Sequence, residues 1–188
     1  MSEHDDNPEF HYKIDAADRL ESVDPEWESF AAENEADRLT SDTVSGVSIW
    51  DYISGYEVKH LYEMMFDAVR RQQKEVHVPF RCDSPDCRRF MELTIEPQES
   101  GSLALTGSLL REEPRPRSDL LAATNRDPDR FLTICSWCKR VDVGNDVWVE
   151  VEDAVRELSL FNGALVPTLT HGMCLDCLAS VEAELEKL

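Results

Sequence analysis

The sequence predicts an α+β protein with a small cysteine-rich module near its C-terminal end. Residues 56–73 carry apolar side chains three and four positions apart, which is typical of one face of a helix. Three segments after it, within residues 76–109, alternate apolar and polar residues, which is typical of half-buried strands. Two Cys-x-x-Cys pairs follow residue 130. These observations favour helices packed on an antiparallel sheet, followed by a metal-binding module.

The elements before the long helix are short. Residues 1–9 are acidic and are expected to form a disordered tail. Residues 12–15 and 20–23 flank a polar turn and predict a hairpin. Asp24 is expected to cap a short helix that has Pro25 in its first turn. A strand pair, helices and a three-strand meander therefore make an α+β domain over residues 10–111.

The segment after the meander is expected to be a linker. It spans residues 112–130 and begins within the charged, proline-broken run Arg-Glu-Glu-Pro-Arg-Pro-Arg at positions 111–117. Beyond the linker, residues 131–134 predict a strand that leads into the first cysteine pair. A short helix is predicted between the pairs, and a terminal helix is predicted to begin at the second pair. Residues 131–188 are thus expected to form the small C-terminal module.

The two cysteine pairs predict a structural zinc site. Cys135 and Cys138 form the first pair, and Cys174 and Cys177 form the second, with 35 residues between them. Four thiolates at this spacing can bind Zn²⁺ tetrahedrally, and a full set of four leaves no position open for water. His171 is an alternative ligand that can replace one of the four sulfurs. The competing interpretation is a dithiol redox switch.

A second pair of cysteines lies in the predicted hairpin turn. Cys82 and Cys87 are separated by four residues rich in turn formers. They can be a reversible disulfide, half of a second metal site, or two free thiols; free thiols are favoured in a reducing cytosol.

Composition narrows the classes of function. The net charge is −20, and residues 1–51 hold 15 acidic and three basic residues, which opposes binding to nucleic acid or anionic membranes. The first residues lack the pattern of a signal peptide, and no apolar run is long enough to span a bilayer, so a cytoplasmic location is expected. No nucleophile–base pair or carboxylate constellation stands out, so catalytic residues are not expected and the protein is not expected to be an enzyme.

The order of elements over residues 10–111, with Gly-Val-Ser-Ile-Trp-Asp-Tyr-Ile at 46–53 before the long helix, resembles a PAS domain. This resemblance implies a five-stranded antiparallel sheet whose helices enclose a pocket for a small molecule. Its aromatic candidates are Trp50, Tyr62, Phe66 and Phe80, which can equally be plain core residues. The sequence lacks the flavin-bonding motif of photosensory PAS domains. Haem-binding PAS domains use a histidine on the long helix; His60 lies on that helix here, but off its apolar stripe.

The C-terminal motif also resembles a known module. Cys-Ser-Trp-Cys-Lys at 135–139 and His-Gly-Met-Cys-Leu-Asp-Cys at 171–177 resemble a cysteine-rich module at the ends of bacterial and archaeal PAS and response-regulator proteins. Together the resemblances imply a non-enzymatic sensor or adaptor that acts by protein contact, with a histidine kinase or response regulator as partner and a homodimer by analogy. The alternative is a thiol redox sensor that releases zinc on oxidation.

Overall fold

The computed structural model describes residues 8–33, 36, 38–122, 126–161 and 165–188. Most of the tail expected at residues 1–9 lies outside these residues, although Glu9 already belongs to the first strand. The expected linker is shorter than 112–130, because strands extend into it from both sides.

A five-stranded antiparallel sheet forms the N-terminal part of the protein, as expected. Its strands are β1 (Glu9–Ile14), β2 (Leu20–Val23), β3 (Val76–Arg81), β4 (Cys87–Pro97) and β5 (Leu103–Pro114). Their spatial order is β2-β1-β5-β4-β3, so β2 and β3 are the edges. The predicted hairpin of β1 and β2 and the predicted meander of β3, β4 and β5 are both confirmed. The apolar residues of each strand alternate and face the helices, which fixes the register of the sheet.

Helices cover the apolar face of this sheet. They are α1 (Pro25–Glu33), α2 (Ser41–Val44) and α3 (Tyr56–Gln72). Asp24 caps α1 as predicted, because its Oδ1 accepts a hydrogen bond of 2.6 Å from the backbone N–H of Trp27. The stripe on α3 is buried at Val58, Leu61 and Met65 and anchors the helix to the sheet. The predicted α+β class is therefore confirmed.

A second, smaller sheet follows. Its strands are β6 (Arg126–Cys135), β7 (Val141–Asp142), β8 (Trp148–Val149) and β9 (Val166–Gly172), in the order β8-β7-β6-β9. The predicted helix between the cysteine pairs is α4 (Val151–Glu157), and the predicted terminal helix is α5 (Leu175–Leu185). Because β9 runs parallel to β6, the C-terminal ends of both strands lie at the same end of the sheet. Both cysteine pairs follow these ends and therefore lie close together.

The two parts share one hydrophobic core. Cys135, Trp137, Cys174, Cys177 and Val181 belong to the same buried cluster as the apolar residues of the first sheet and of α3. A second cluster fills the smaller sheet and includes a fully buried residue from the expected linker, Leu120. Burial of these side chains from both parts stabilises the C-terminal module on the first sheet.

Candidate metal centre and cavity

The first cysteine pair lies on a tight turn at the end of β6. The backbone N–H of Lys139 donates to the Cys135 carbonyl at 3.0 Å, which closes the turn. Lys139 has a φ of +62°, the left-handed conformation that the turn needs. The N–H of Ser136 donates to the Gly172 carbonyl at 2.9 Å. The turn is thus held beside the strand that leads to the second pair.

The second cysteine pair begins helix α5. Cys174 is the N-cap residue, and the N–H groups of Cys177 and Leu178 donate to its carbonyl at 3.1 and 3.2 Å. This geometry places both sulfurs at the N-terminal end of the helix. The helix dipole stabilises negative charge there, and thiolate is the form of cysteine that binds a metal.

The four sulfurs converge on one point. The Sγ atoms of Cys135, Cys138, Cys174 and Cys177 all lie within 4.8 Å of one another, and no disulfide joins them. The Cys138 and Cys174 sulfurs are 3.8 Å apart. Metal–sulfur bonds of about 2.3 Å in a tetrahedron would place the sulfurs about 3.8 Å apart. Three of the four residues are buried and Cys138 is partly exposed. The predicted cysteines are therefore brought together, and they can bind a metal ion.

Within the cluster the pKa of Cys135 is lowered, whereas burial raises the pKa of Cys174, so the thiolate is favoured at Cys135. Hydrogen bonds from the thiols of Cys138 and Cys177 lower the pKa of Cys135, and the contact with Cys135 raises the pKa of Cys177. Arg140 donates from Nε to the Cys138 sulfur at 3.3 Å and from Nη2 to the Cys174 sulfur at 3.6 Å. Its Nη2 also donates to Asp176 at 2.9 Å. Arg140 therefore places a positive charge against the cluster and offsets part of the charge that four thiolates would carry.

His171 lies outside the cluster. It precedes Gly172 at the end of β9, it is exposed, and it is absent from the group of ligand atoms that converge. Desolvation of its ring and the nearby Lys139 lower the pKa of His171. The four sulfurs form the converging set without it.

Trp137, between the first two cysteines, is bound to the first sheet. Its Nε1 donates to the Pro79 carbonyl at 2.7 Å, and its own carbonyl accepts from the Arg81 N–H at 2.8 Å. Only 5% of Trp137 is exposed. Its ring contacts Tyr62 and Phe80, at centroid distances of 5.8 and 5.9 Å. The cysteine turn is therefore attached to the edge strand β3 and to helix α3.

An apolar cavity of about 320 Å³ lies between the first sheet and its helices. Tyr62 and Phe80, two of the four predicted pocket residues, line it. Phe66 is 1% exposed and packs against Trp50 at a centroid distance of 5.6 Å; neither lines the cavity. Trp50 instead donates from its indole nitrogen to Asp18 at 3.1 Å.

Three tyrosines line this cavity; Tyr52 is 40% exposed, whereas Tyr12 and Tyr62 are partly buried. Tyr12 and Tyr62 both line it, and no hydrogen-bond partner for either hydroxyl occurs among the described residues. Burial raises the pKa of Tyr62 to about 12 and raises that of Tyr12 as well. Both hydroxyls therefore remain protonated at neutral pH and can donate to a bound molecule. The alternation of strand β1 places Tyr12 on the inner face, a signal that was available in the sequence.

Cys82 and Cys87 do not join the metal cluster and do not form a disulfide. Cys82 pairs with Arg89 across the hairpin, and Cys87 pairs with Ser84. The two cysteines are thus diagonal neighbours, whose Cα atoms in a regular ladder are about 7–8 Å apart. Burial raises the pKa of both thiols, which favours the unreactive protonated form.

A buried ionic network, which no pattern in the sequence indicates, joins the β3–β4 hairpin to helix α4. Arg115, whose side chain is fully buried, donates from Nη1 to Asp83 at 2.9 Å, and its Nε lies 3.0 Å from a carboxylate oxygen of Glu152. Arg81 donates to Glu150 at 2.9 Å. Asp83 is itself 1% exposed. Because an unpaired charge is costly when buried, loss of one member of this network is expected to destabilise the packing of the two parts.

Comparisons with known proteins do not assign this chain to a family. No protein-family model matches the sequence, and no curated protein matches it. Among solved structures, a domain of an HTR-like protein from Haloarcula marismortui ATCC 43049 is similar over 55% of this chain and 99% of that chain, at 14% sequence identity and a TM-score of 0.41. A similarity at this level does not establish a shared function. Among the described residues, no helix combines the length and apolar character needed to cross a bilayer.

Proposed function

We propose that this protein is a non-enzymatic sensor that binds a small molecule in the apolar cavity and acts through protein contact. The observation that carries the proposal is the cavity of about 320 Å³, lined by Tyr12 and Tyr62, whose hydroxyls have no hydrogen-bond partner within the described part of the chain. Pockets for small ligands are mostly apolar with a few polar groups that fix orientation. The resemblance of residues 10–111 to PAS domains, noted from the sequence, agrees with this function.

The cavity favours an apolar molecule that carries a hydrogen-bond acceptor. Its wall includes Trp27, Leu39 and Ile49, and none of the described residues that line it is Lys, Arg, Asp or Glu. The neutral hydroxyls of Tyr12 and Tyr62 can each donate one hydrogen bond to a carbonyl or ether oxygen. A charged ligand would lose its hydration without gaining a partner of opposite charge.

We further propose that the four cysteines bind one structural Zn²⁺. The donor set fits this ion, since tetrahedral sites with four thiolates are typical of structural zinc. The bound ion would join the end of β6 to the start of α5. A complete set of four sulfurs leaves no position for substrate, which supports a role in folding and contact. A signalling protein is the expected partner.

The ligand proposal is tested with acetophenone, which has a ketone acceptor, and cumene, which has a similar size and none. Binding of each to the full chain is measured by NMR titration. A buried hydrogen bond contributes about 0.5–1.5 kcal/mol, so acetophenone is expected to bind about two- to twelve-fold more tightly. The triple variant Tyr12→Phe/Tyr52→Phe/Tyr62→Phe, which removes every tyrosine hydroxyl of the described lining, should lose this preference. Tyr56→Phe, on the same helix but 81% exposed, should keep it. Failure of acetophenone to bind the wild-type protein would refute the proposed cavity function.

A thiol redox sensor is the second candidate. Cys138 is partly exposed, whereas the other three cysteines of the cluster are buried, so an oxidant would reach its sulfur first. Hydrogen peroxide would then release zinc, measured with a chromophoric chelator, and a thiol reductant would reverse the release. A cluster that retains zinc under oxidant rules out this function and leaves the structural role.

A further inference from the structure

One residue belongs to the cysteine turn and also contacts the cavity wall. Trp137 lies between Cys135 and Cys138, so binding of a metal by these two sulfurs fixes its backbone. Its ring lies against Tyr62 and Phe80, and both of these residues line the cavity. Trp137 therefore contacts the cavity wall directly from the cysteine turn.

The contact with the sheet is specific as well as close. Trp137 forms hydrogen bonds to the residues on either side of Phe80, through its indole nitrogen to Pro79 and through its carbonyl to Arg81. β3 is an edge strand, and Pro79 is tolerated there because its missing N–H removes no ladder bond. The cysteine turn therefore covers part of this edge and holds Phe80 in place.

The aromatic contacts continue beyond the wall. Tyr62 contacts Phe66 at a centroid distance of 5.7 Å, and Phe66 contacts Trp50 at 5.6 Å. A ligand that fills the cavity would restrict Tyr62 and Phe80, because close-packed side chains have little freedom to adjust independently. Restriction of these two rings restricts Trp137 and, through it, the spacing of the first two sulfurs.

We propose that metal binding and cavity occupancy are reciprocally coupled through Trp137, so that each raises the affinity for the other. This inference rests on the proposed function of the cavity. Without the metal, Cys135 and Cys138 are no longer joined through an ion, and the contacts by which Trp137 supports Tyr62 and Phe80 in the cavity wall weaken. Because coupling between two binding sites is reciprocal, a ligand that orders this wall must tighten metal binding by the same factor. Such factors are typically about 5- to 150-fold.

The experiment measures Co²⁺ affinity of the reduced, metal-free full chain with and without saturating acetophenone. Tetrahedral cobalt thiolates absorb in the visible region, so binding is followed directly. Wild-type protein is expected to bind Co²⁺ at least about five-fold more tightly in the presence of acetophenone. Trp137→Leu keeps all four cysteines and should reduce this ratio to near one. Phe80→Leu, which weakens the same contact from the sheet side, should do the same and serves if Trp137→Leu does not fold.

Val151→Ala is the control for lost stability. Val151 is fully buried in the second cluster, away from the cavity, and its variant should retain the wild-type ratio. Acetophenone that binds wild-type protein without changing Co²⁺ affinity would overturn the coupling while leaving the cavity function intact. An unchanged ratio in both Trp137→Leu and Phe80→Leu would also overturn it, since the linkage would then come from folding alone. If acetophenone does not bind, the proposed function fails and the coupling fails with it.

Discussion

Replacement of Trp137 by phenylalanine tests how firmly the cysteine turn is attached to the first sheet. The substitution removes the indole N–H that donates to the Pro79 carbonyl at 2.7 Å, a loss of about 0.5–1.5 kcal/mol. It also weakens the ring contacts with Tyr62 and Phe80, each worth about 0.5–1.5 kcal/mol when complete. Because phenylalanine retains part of these contacts, the expected loss in the free energy of unfolding is about 1–3 kcal/mol.

The assay is urea and thermal unfolding of zinc-loaded protein in reducing buffer. For a protein of this size, 1 kcal/mol corresponds to about 2–4 °C in Tm, so Trp137→Phe should lower Tm by about 2–12 °C. Trp148→Phe is the matched control, since that indole is only partly buried and its nitrogen has no hydrogen-bond partner among the described residues. Equal stability losses in the two variants would refute the attachment.

Three further substitutions test other contacts. Arg140→Gln removes the cation beside the cluster and is expected to weaken zinc binding by about 10- to 100-fold, measured by chelator competition. An unchanged affinity would mean that Arg140 has no influence on the metal. Arg115→Leu leaves Asp83 without one of its buried partners and should lower the free energy of unfolding, measured in urea, by about 3–5 kcal/mol. A loss below about 1 kcal/mol would show that the buried network does not stabilise the protein. Gly107→Ala places a Cβ 2.2 Å from the Phe10 ring and should lower the free energy of unfolding by about 1–3 kcal/mol. An unchanged Tm in thermal unfolding would show that the ring can move away freely.

Features that depend on local periodicity can be predicted from the sequence. The stripe on α3 and the alternation of β3, β4 and β5 report burial of one face directly, so these elements and their class follow from the pattern. The four cysteines are also identified, because two copies of the Cys-x-x-Cys spacing rarely arise by chance among unconnected core cysteines. The structure confirms that their sulfurs converge, within 4.8 Å.

Features that depend on distant pairing could not be predicted from the sequence. The sequence places Arg115 in a linker because charged, proline-rich runs are usually solvated, yet its partners lie in the β3–β4 hairpin and on α4. Trp137 packs near the cysteine cluster, as its place between two cysteines suggests, but its hydrogen bond to Pro79 spans 58 residues. Two of the four predicted pocket residues, Trp50 and Phe66, pack in the core and do not line the cavity. Apolar patterning indicates that a residue is buried, but it cannot distinguish a cavity wall from packed interior.

We infer that the metal centre and the first sheet form one folded unit. Metal content and hydrogen exchange of wild type, Cys135→Ser and Cys87→Ser, all purified under reducing conditions without chelator, test this most directly. Wild type and Cys87→Ser should contain one zinc per chain. Cys135→Ser should lose it, together with exchange protection of the Arg81 amide, which donates to Trp137 across the two parts. Absence of metal from the wild type, or full protection of Arg81 in Cys135→Ser, would contradict this inference.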